Sequence, residues 1–202
     1  MSAPAVDRSG DLATEFFARP AVEVAPDLVG VTLLLDGVGG RIVEVEAYDQ
    51  DEPASHGFRG PTEATRALFG PPGRAYVYRS HGLHWCLNAV CDRPGRAAGV
   101  LVRALEPTHG LATMAVRRGT DDPHLLCSGP GRVGQSLAVT GACNGRRLDA
   151  PPFRLLQRQT EPELAATPRV GISRATELPW RFVDARSPFV SRPHRRGRGE
   201  PA

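Results

Sequence analysis

Residues 41–48 read R-I-V-E-V-E-A-Y, from Arg41 to Tyr48, and the way these eight alternate decides how the chain is laid out. A period of two marks a half-buried strand, because successive side chains leave a strand on opposite faces. Val43, Val45 and Ala47 are expected on an uncharged face against a core, and Ile42, Glu44, Glu46 and Tyr48 on the other. That second face sets two carboxylates and a phenol in a row. A carboxylate on a rigid strand beside an aromatic ring is how a general base is positioned and partly freed of water, provided something covers the face. The same pattern also describes an edge strand with a solvated acidic face, so the rest of the chain has to choose between the two.

Upstream, residues 1–10 are small, polar and unpatterned and are expected to be disordered. Asp11 is placed to cap a short helix carrying Leu12, Phe16 and Phe17, and a second is expected over Ala25 to Leu28. Val31 to Leu35 then turns through Asp36-Gly37 and Gly39-Gly40 into the Arg41 strand as a hairpin. Downstream, D-Q-D-E-P-A-S-H-G-F-R-G-P (49–61) is too irregular for a regular element and is ordered by what it touches. A short helix is expected from Thr62 to Phe69, then strands at Ala75 to Arg79, with Tyr76 and Tyr78 on one face, and at His84 to Cys91. Val100 to Leu105 is an apolar strand interrupted by Arg103, which needs an acidic or phosphate partner if buried, and Glu46 is a candidate.

Gly110 to Arg118 reads as a helix with Leu111, Met114 and Ala115 inward. Ser128-Gly129-Pro130 opens another, whose start beside Arg132 suits a phosphate as well as an ordinary cap. Arg169 to Ser173 and Trp180 to Asp184 are expected as closing strands, and residues 193–202 as a basic, mobile tail. Short antiparallel strands with interspersed helices make an α+β class, a single domain over residues 11–192.

The chain has 202 residues, 41% hydrophobic and 23% charged, as a soluble globular protein does. It has no apolar run of membrane-spanning length and no signal-peptide pattern, so a cytoplasmic location and no membrane partner are expected. All 25 basic residues are arginine, so no lysine amine is available for Schiff-base chemistry. A net charge of +3 and a pI near 8.9 permit a nucleic-acid partner without requiring one. Cys86, Cys91, Cys127 and Cys143 form no C-x-x-C pair, and Cys86 and Cys127 read as core thiols. His81 and His84 lack a third ligand, so no metal and no cofactor are expected.

Five blocks in one order resemble the alkyladenine (3-methyladenine) DNA glycosylase family: R-I-V-E-V-E-A-Y followed by A-S-H, A-Y-V-Y-R-S-H-G-L-H-W-C-L-N, L-V-R-A-L-E-P, L-C-S-G-P and P-W-R-F-V-D-A-R-S-P-F-V-S. The likeness runs from about Pro20 to Arg192. It implies a curved antiparallel sheet with surrounding short helices, no metal, and removal of damaged bases from double-stranded DNA by base flipping, in a bacterial, monomeric enzyme.

Position by position, Glu46 matches the family's general base. Arg103 matches the arginine near the attacking water, and Val170 the residue whose backbone carbonyl also holds that water. Tyr48, His56, Tyr76, Tyr78 and Asn88 match the base pocket or lie beside it, although the loop before His56 is one residue shorter. His81 takes the place of a tyrosine that wedges into the gap left by the flipped nucleotide, with Leu83 beside it at the hairpin tip.

The chemistry agrees with the likeness. Removing a base from deoxyribose passes through an oxocarbenium-like sugar, which one carboxylate can stabilise while it activates water. A purine alkylated at N3 or N7 already carries positive charge and leaves without a second acid. With no lysine the enzyme is expected to be monofunctional. Two rivals are a non-enzymatic module that stacks single-stranded nucleic acid, which has no need of an acid among its rings, and a hydrolase of free nucleosides, which needs no wedge. Glu44 is expected to face solvent or to be salt-bridged.

Overall fold

In the computed structural model, which describes residues 10–193, the acidic stretch lies inside the long strand β2 (Val38–Asp49), paired on both sides in an antiparallel sheet. β2 follows β1 (Thr32–Leu35). The remaining strands are β3 (Ala75–Ser80), β4 (His84–Val90), β5 (Ala98–His109), β6 (Phe153–Leu156), β7 (Leu164–Thr167) and β8 (Arg181–Asp184). Their order is β3-β4-β5-β2-β1-β6, with β8 joining β2 and β7 joining β8. β5 follows β2 along one side. On the other, β1 pairs with residues 38–41 and β8 takes over at 44–46. The helices are short: α1 (Ala21–Leu28), α2 (Leu111–Arg118), α3 (Pro123–Leu126) and α4 (Pro130–Ser136). The expected α+β domain with a curled antiparallel sheet is the one observed.

The curl has local causes. The β1–β2 turn consists of Asp36 and Gly37, both at positive φ, and Gly39 and Gly40, expected in the turn, lie within the strand with a register shift between them. Those glycines belong to the sheet because it closes on them: a Cβ at either would lie 1.9 Å from a carbonyl oxygen, Leu33 for Gly39 and Glu106 for Gly40. Register shifts flank Glu44 in the β2–β5 ladder, leaving Val43 and Arg103 without opposite numbers. Such bulges bend a strand and re-aim its side chains. Ile42 accordingly joins Val45 and Ala47 in the main core, so its expected place on the acidic face is corrected by the shift at Val43. Glu44, Glu46 and Tyr48 stay on the other face.

Phe17, Leu28, Leu33, Leu87, Leu105, Met114 and Phe153 fill the core between the sheet and the helices. A smaller cluster of Leu68, Tyr76, Val90 and Ala97 packs apart from it, with Tyr78 alongside. Several local expectations change. Asp11 does not cap the turn at Thr14–Phe17 but accepts from Arg154 Nε at 2.9 Å. The helix from Thr62 shrinks to one turn of 3₁₀ at Arg66–Phe69. Leu111 is exposed and Ala115 half-buried, so Met114 alone anchors α2. Gly129, at φ 139°, is the N-cap of α4, while Ser128 takes a hydrogen bond from Arg132 instead. The strand expected at 169–173 is absent; β7 lies earlier, and β6 pairs with β1. Gly10 accepts a bond from Gln157, so order reaches one residue into the expected N-terminal tail; residues 1–9 of that tail, and 194–202 of the basic one, lie outside the described residues.

Candidate active site

One row across the sheet assembles the site. Tyr76 on β3 stands opposite Asn88 on β4, Asn88 opposite Leu101 on β5, Leu101 opposite Glu46 on β2, and Glu46 opposite Arg181 on β8. Opposed residues of antiparallel neighbours project to the same face. The rows that flank it, Ala89, Val100 and Ala47 on one side and Val77, Leu87, Val102 and Val45 on the other, belong to the core. Period two, kept along this part of β3, β4, β5 and β2, therefore separates an apolar face from a chemical one.

Glu46 is fully buried. Its Oε1 accepts the Val170 amide at 2.6 Å, and its Oε2 accepts the Tyr48 hydroxyl at 2.9 Å and Arg103 Nη1 at 3.3 Å. A carboxylate offers about four lone-pair sites, so these three donors leave one acceptor position on a buried ion. Burial, reinforced by the charge of Glu46, holds the Tyr48 phenol far above its ordinary pKa, so it remains a donor.

Glu44, also fully buried, accepts four hydrogen bonds. Oε1 accepts Arg103 Nε at 2.9 Å, Arg181 Nε at 2.7 Å and Ser191 Oγ at 2.8 Å, and Oε2 accepts the Ser191 amide at 2.5 Å. Burial works against the ionised form, but the hydrogen bond from Arg181 and the charges of Arg103 and Arg181 outweigh it and keep Glu44 below the usual carboxylate range. Of the two expectations for Glu44, the salt bridge is observed and exposure is not. Arg103 is bound more closely to Glu44 than to Glu46, the partner expected from sequence.

The aromatic side is built from β3 and the loop after β2. Tyr76 and Tyr78 stack at 5.7 Å, and the His56 ring meets Tyr78 edge-on at 4.4 Å while its Nδ1 lies 3.0 Å from the Tyr76 hydroxyl. Burial pushes Tyr76 up to about 12 and draws His56 below the ordinary histidine value, so both are neutral at pH 7. Tyr78 is raised by burial and then by Cys86, which stands opposite it on β4 and is buried, as expected of a core thiol. The Asn88 amide nitrogen donates to the Tyr76 carbonyl at 3.0 Å, which leaves its oxygen available.

Arg169 was not singled out from sequence, yet it joins three parts of the site. Its buried guanidinium grips Glu52 with two bonds of 2.7 and 2.9 Å, donates to the Ala47 carbonyl at 3.0 Å and lies 4.6 Å over the Tyr48 ring. Glu52 belongs to the irregular loop that carries His56, and Arg169 precedes Val170 in the chain. The signal was present as an unexplained acid-rich loop; its partner lies 117 residues away, beyond any local pattern.

At the tip of the β3–β4 hairpin, His81 and Gly82 take positive φ and Leu83 is 70% exposed. Between the tip end of that hairpin and α4 opens a cavity of about 520 Å³, lined by His84, Arg103, Arg118, Arg132, Ser191 and Arg192. Among the described residues, Arg118, Arg132 and Arg192 form no ion pair with a carboxylate. No helix among the described residues is long and apolar enough to cross a membrane.

With this geometry in hand, comparison with known proteins is specific. The family model described as methylpurine-DNA glycosylase matches residues 15–188. A Rhodopseudomonas palustris protein is 57% identical over 178 residues, covering 88% of this chain and 86% of its own. One from Nitrosospira multiformis is 52% identical over 195 residues, 96% of each chain, and one from Rhizobium meliloti is 57% identical over 178 residues, 88% of this chain and 95% of its own. All three carry the name "Putative 3-methyladenine DNA glycosylase".

Proposed function

The chain belongs to the methylpurine-DNA glycosylase family and is a DNA glycosylase, a hydrolase of N-glycosyl bonds, and from that premise we propose that it flips purines of the 3-methyladenine type, alkylated or deaminated, out of duplex DNA and hydrolyses them with Glu46 as general base. Membership sets aside both the non-enzymatic single-strand binder and the hydrolase of free nucleosides. One observation carries the catalytic assignment: Glu46 is wholly buried, held at both oxygens, and still has an acceptor position for a water.

In this reading the bonding pair stays with the purine as its bond to C1′ breaks, so that an alkylated, cationic base departs neutral and a deaminated base takes up a proton from solvent water, and water attacks the oxocarbenium-like sugar from the opposite side. Glu46 takes the proton of that water, and its charge stabilises the cation. The Val170 amide, the Tyr48 hydroxyl and Arg103 fix the carboxylate. The amide occupies one oxygen of the acid; the Val170 carbonyl is the proposed second acceptor for the water. Tyr48, Tyr78 and His56 hold the extruded ring, and a positively charged purine gains about 1 to 2 kcal/mol from each well-placed aromatic face. A neutral His56 does not repel it. Asn88, its oxygen free, senses the purine edge, with Leu101 as an apolar floor between it and Glu46.

His81 and Leu83 fill the space that the extruded nucleotide leaves. Histidine offers less surface than tyrosine, so the extruded state is held more weakly, and the cost of extrusion is least for a damaged or mispaired base. The unpaired arginines lining the neighbouring cavity suit the phosphate backbone. The enzyme acts as a monomer and without a cofactor.

The test is a set of duplexes each carrying one lesion, treated with alkali to reveal abasic sites: at least one of 3-methyladenine, 7-methylguanine, hypoxanthine and ethenoadenine is excised, and Glu46→Gln binds the same duplex but releases almost no base. Near-wild-type excision by that variant removes Glu46 from the role. With no lysine in the chain, borohydride leaves no covalent DNA adduct, and efficient trapping would show a different mechanism.

A further inference from the structure

We propose that Glu44 is a positioning residue for the reaction: it holds Arg103 away from a closed, two-bond salt bridge with Glu46, and so keeps a lone pair of the catalytic acid free for water. The proposal rests on the reading of Glu46 as the base. Arginine presents a planar fork of five N–H donors and prefers to grip a carboxylate with two of them at once, as Arg169 does with Glu52. Arg103 lies between two carboxylates and does not do this with Glu46. Its Nε goes to Glu44 at 2.9 Å, its Nη2 to Ser191 Oγ at 3.3 Å, and a single Nη1 reaches Glu46 at a long 3.3 Å.

The contact with Glu46 is loose because the rest of the fork is committed, and Glu44 is what commits it. Glu44 is in turn held from two sides. Arg181, from β8, donates to it at 2.7 Å, and Ser191 binds it through both amide and hydroxyl. Arg181 Nη2 also holds the Arg192 carbonyl at 2.7 Å, so the segment after β8 is tied down over the cluster. The four side chains Glu44, Glu46, Arg103 and Arg181 sum to zero formal charge and are all buried. Were Glu44 neutral, the strongest attraction left to Arg103 would be Glu46, and a two-bond pair there would take the acceptor position that water requires. The bulge at Arg103 is the backbone feature that allows one side chain to face both acids.

The experiment uses isosteric neutral variants, single-turnover excision from a hypoxanthine duplex, and binding of the same duplex, with thermal unfolding to confirm the fold. Glu44→Gln is expected to lower the excision rate by roughly tenfold or more, as small misplacements of catalytic groups do, with duplex affinity within about twofold of wild type. The double variant Glu44→Gln/Arg181→Gln restores a neutral cluster; it leaves Glu46 and Arg103 intact and should be slowed equally, and it carries the test if the single variant does not fold. In Glu44→Gln/Arg103→Gln, also charge-balanced, the rate should equal that of Arg103→Gln alone, because Glu44 acts only through that arginine. A wild-type excision rate in Glu44→Gln or in Glu44→Gln/Arg181→Gln overturns the proposal. So does a Glu44→Gln loss that multiplies undiminished onto Arg103→Gln, the result of a purely structural role. An active Glu46→Gln instead defeats the underlying reading, whereas an inactive Glu46→Gln beside a fully active Glu44→Gln defeats only this one.

Discussion

The site has two halves of opposite character. On the strand side, β2, β5 and β8 bring Glu44, Glu46, Arg103 and Arg181 together below solvent, with each acid held through both of its oxygens. On the hairpin-and-loop side, His56 comes from an irregular loop, and the tip residues His81, Gly82 and Leu83 are exposed, two of them at positive φ. Buried charges persist only where hydrogen bonds and opposite charges surround them, which demands fixed strands. A surface that must enter a duplex has to be reachable and shaped by a turn. The buried acids and arginines therefore lie on the sheet, and the DNA contact proposed above at its edge.

The sharpest way to separate the halves is Glu46→Gln, which should reduce single-turnover excision by about 10²- to 10⁴-fold while duplex binding, measured by anisotropy, stays near wild type. If binding falls equally, the division fails. Next is Arg169→Met, which leaves Glu52 buried without its partner. A loss of about 3 to 5 kcal/mol in unfolding free energy is expected in denaturant titration. Because Arg169 joins the Tyr48 ring, the His56 loop and the chain next to Val170, excision measured below the melting temperature should fall as well. An unchanged midpoint would show that the pair is not what links the halves.

On the exposed side, His81→Ala should weaken binding to lesion duplex by about tenfold, the scale of one lost stacking contact, with thermal stability unchanged. A large drop in melting temperature would mean that the tip is structural. The smallest effect concerns His56, whose surroundings lower its folded pKa below the unfolded value. Between those two values the unfolded chain binds the extra proton. The contribution of His56 is thus complete above the ordinary histidine pKa and is lost as pH falls through it towards the folded value. The stability difference between wild type and His56→Asn should shrink as pH is lowered from 7 into that window, and a difference that grows would reverse the assignment.

How much could be read beforehand follows the same division. Val45 and Ala47 against Glu44, Glu46 and Tyr48 were legible because a strand sorts its side chains by parity. Tyr76, Tyr78 and Asn88 were legible on the same ground, strengthened by the ordered blocks of family likeness. Ile42 was misplaced because the bulge at Val43 breaks the parity, and nothing in R-I-V-E announces a bulge. Gly39 and Gly40 looked like turn residues, since their reason for being glycine is a neighbouring strand's carbonyl rather than their own φ. Leu111 and Ala115 fitted the helical period, but α2 buries only Met114.

The sequence by itself determined the acidic face of the central strand, the absence of any lysine nucleophile and the family. Those depend on residue type and on spacing within a few positions. Only the tertiary structure decided that Arg103 leans on Glu44 rather than Glu46, that Arg169 joins a distant loop to Tyr48, and that Ser191 closes the cluster. Each of these is a contact between residues 59 to 147 positions apart, and which donor reaches which acid is fixed by sheet register and bulges that no local stretch records.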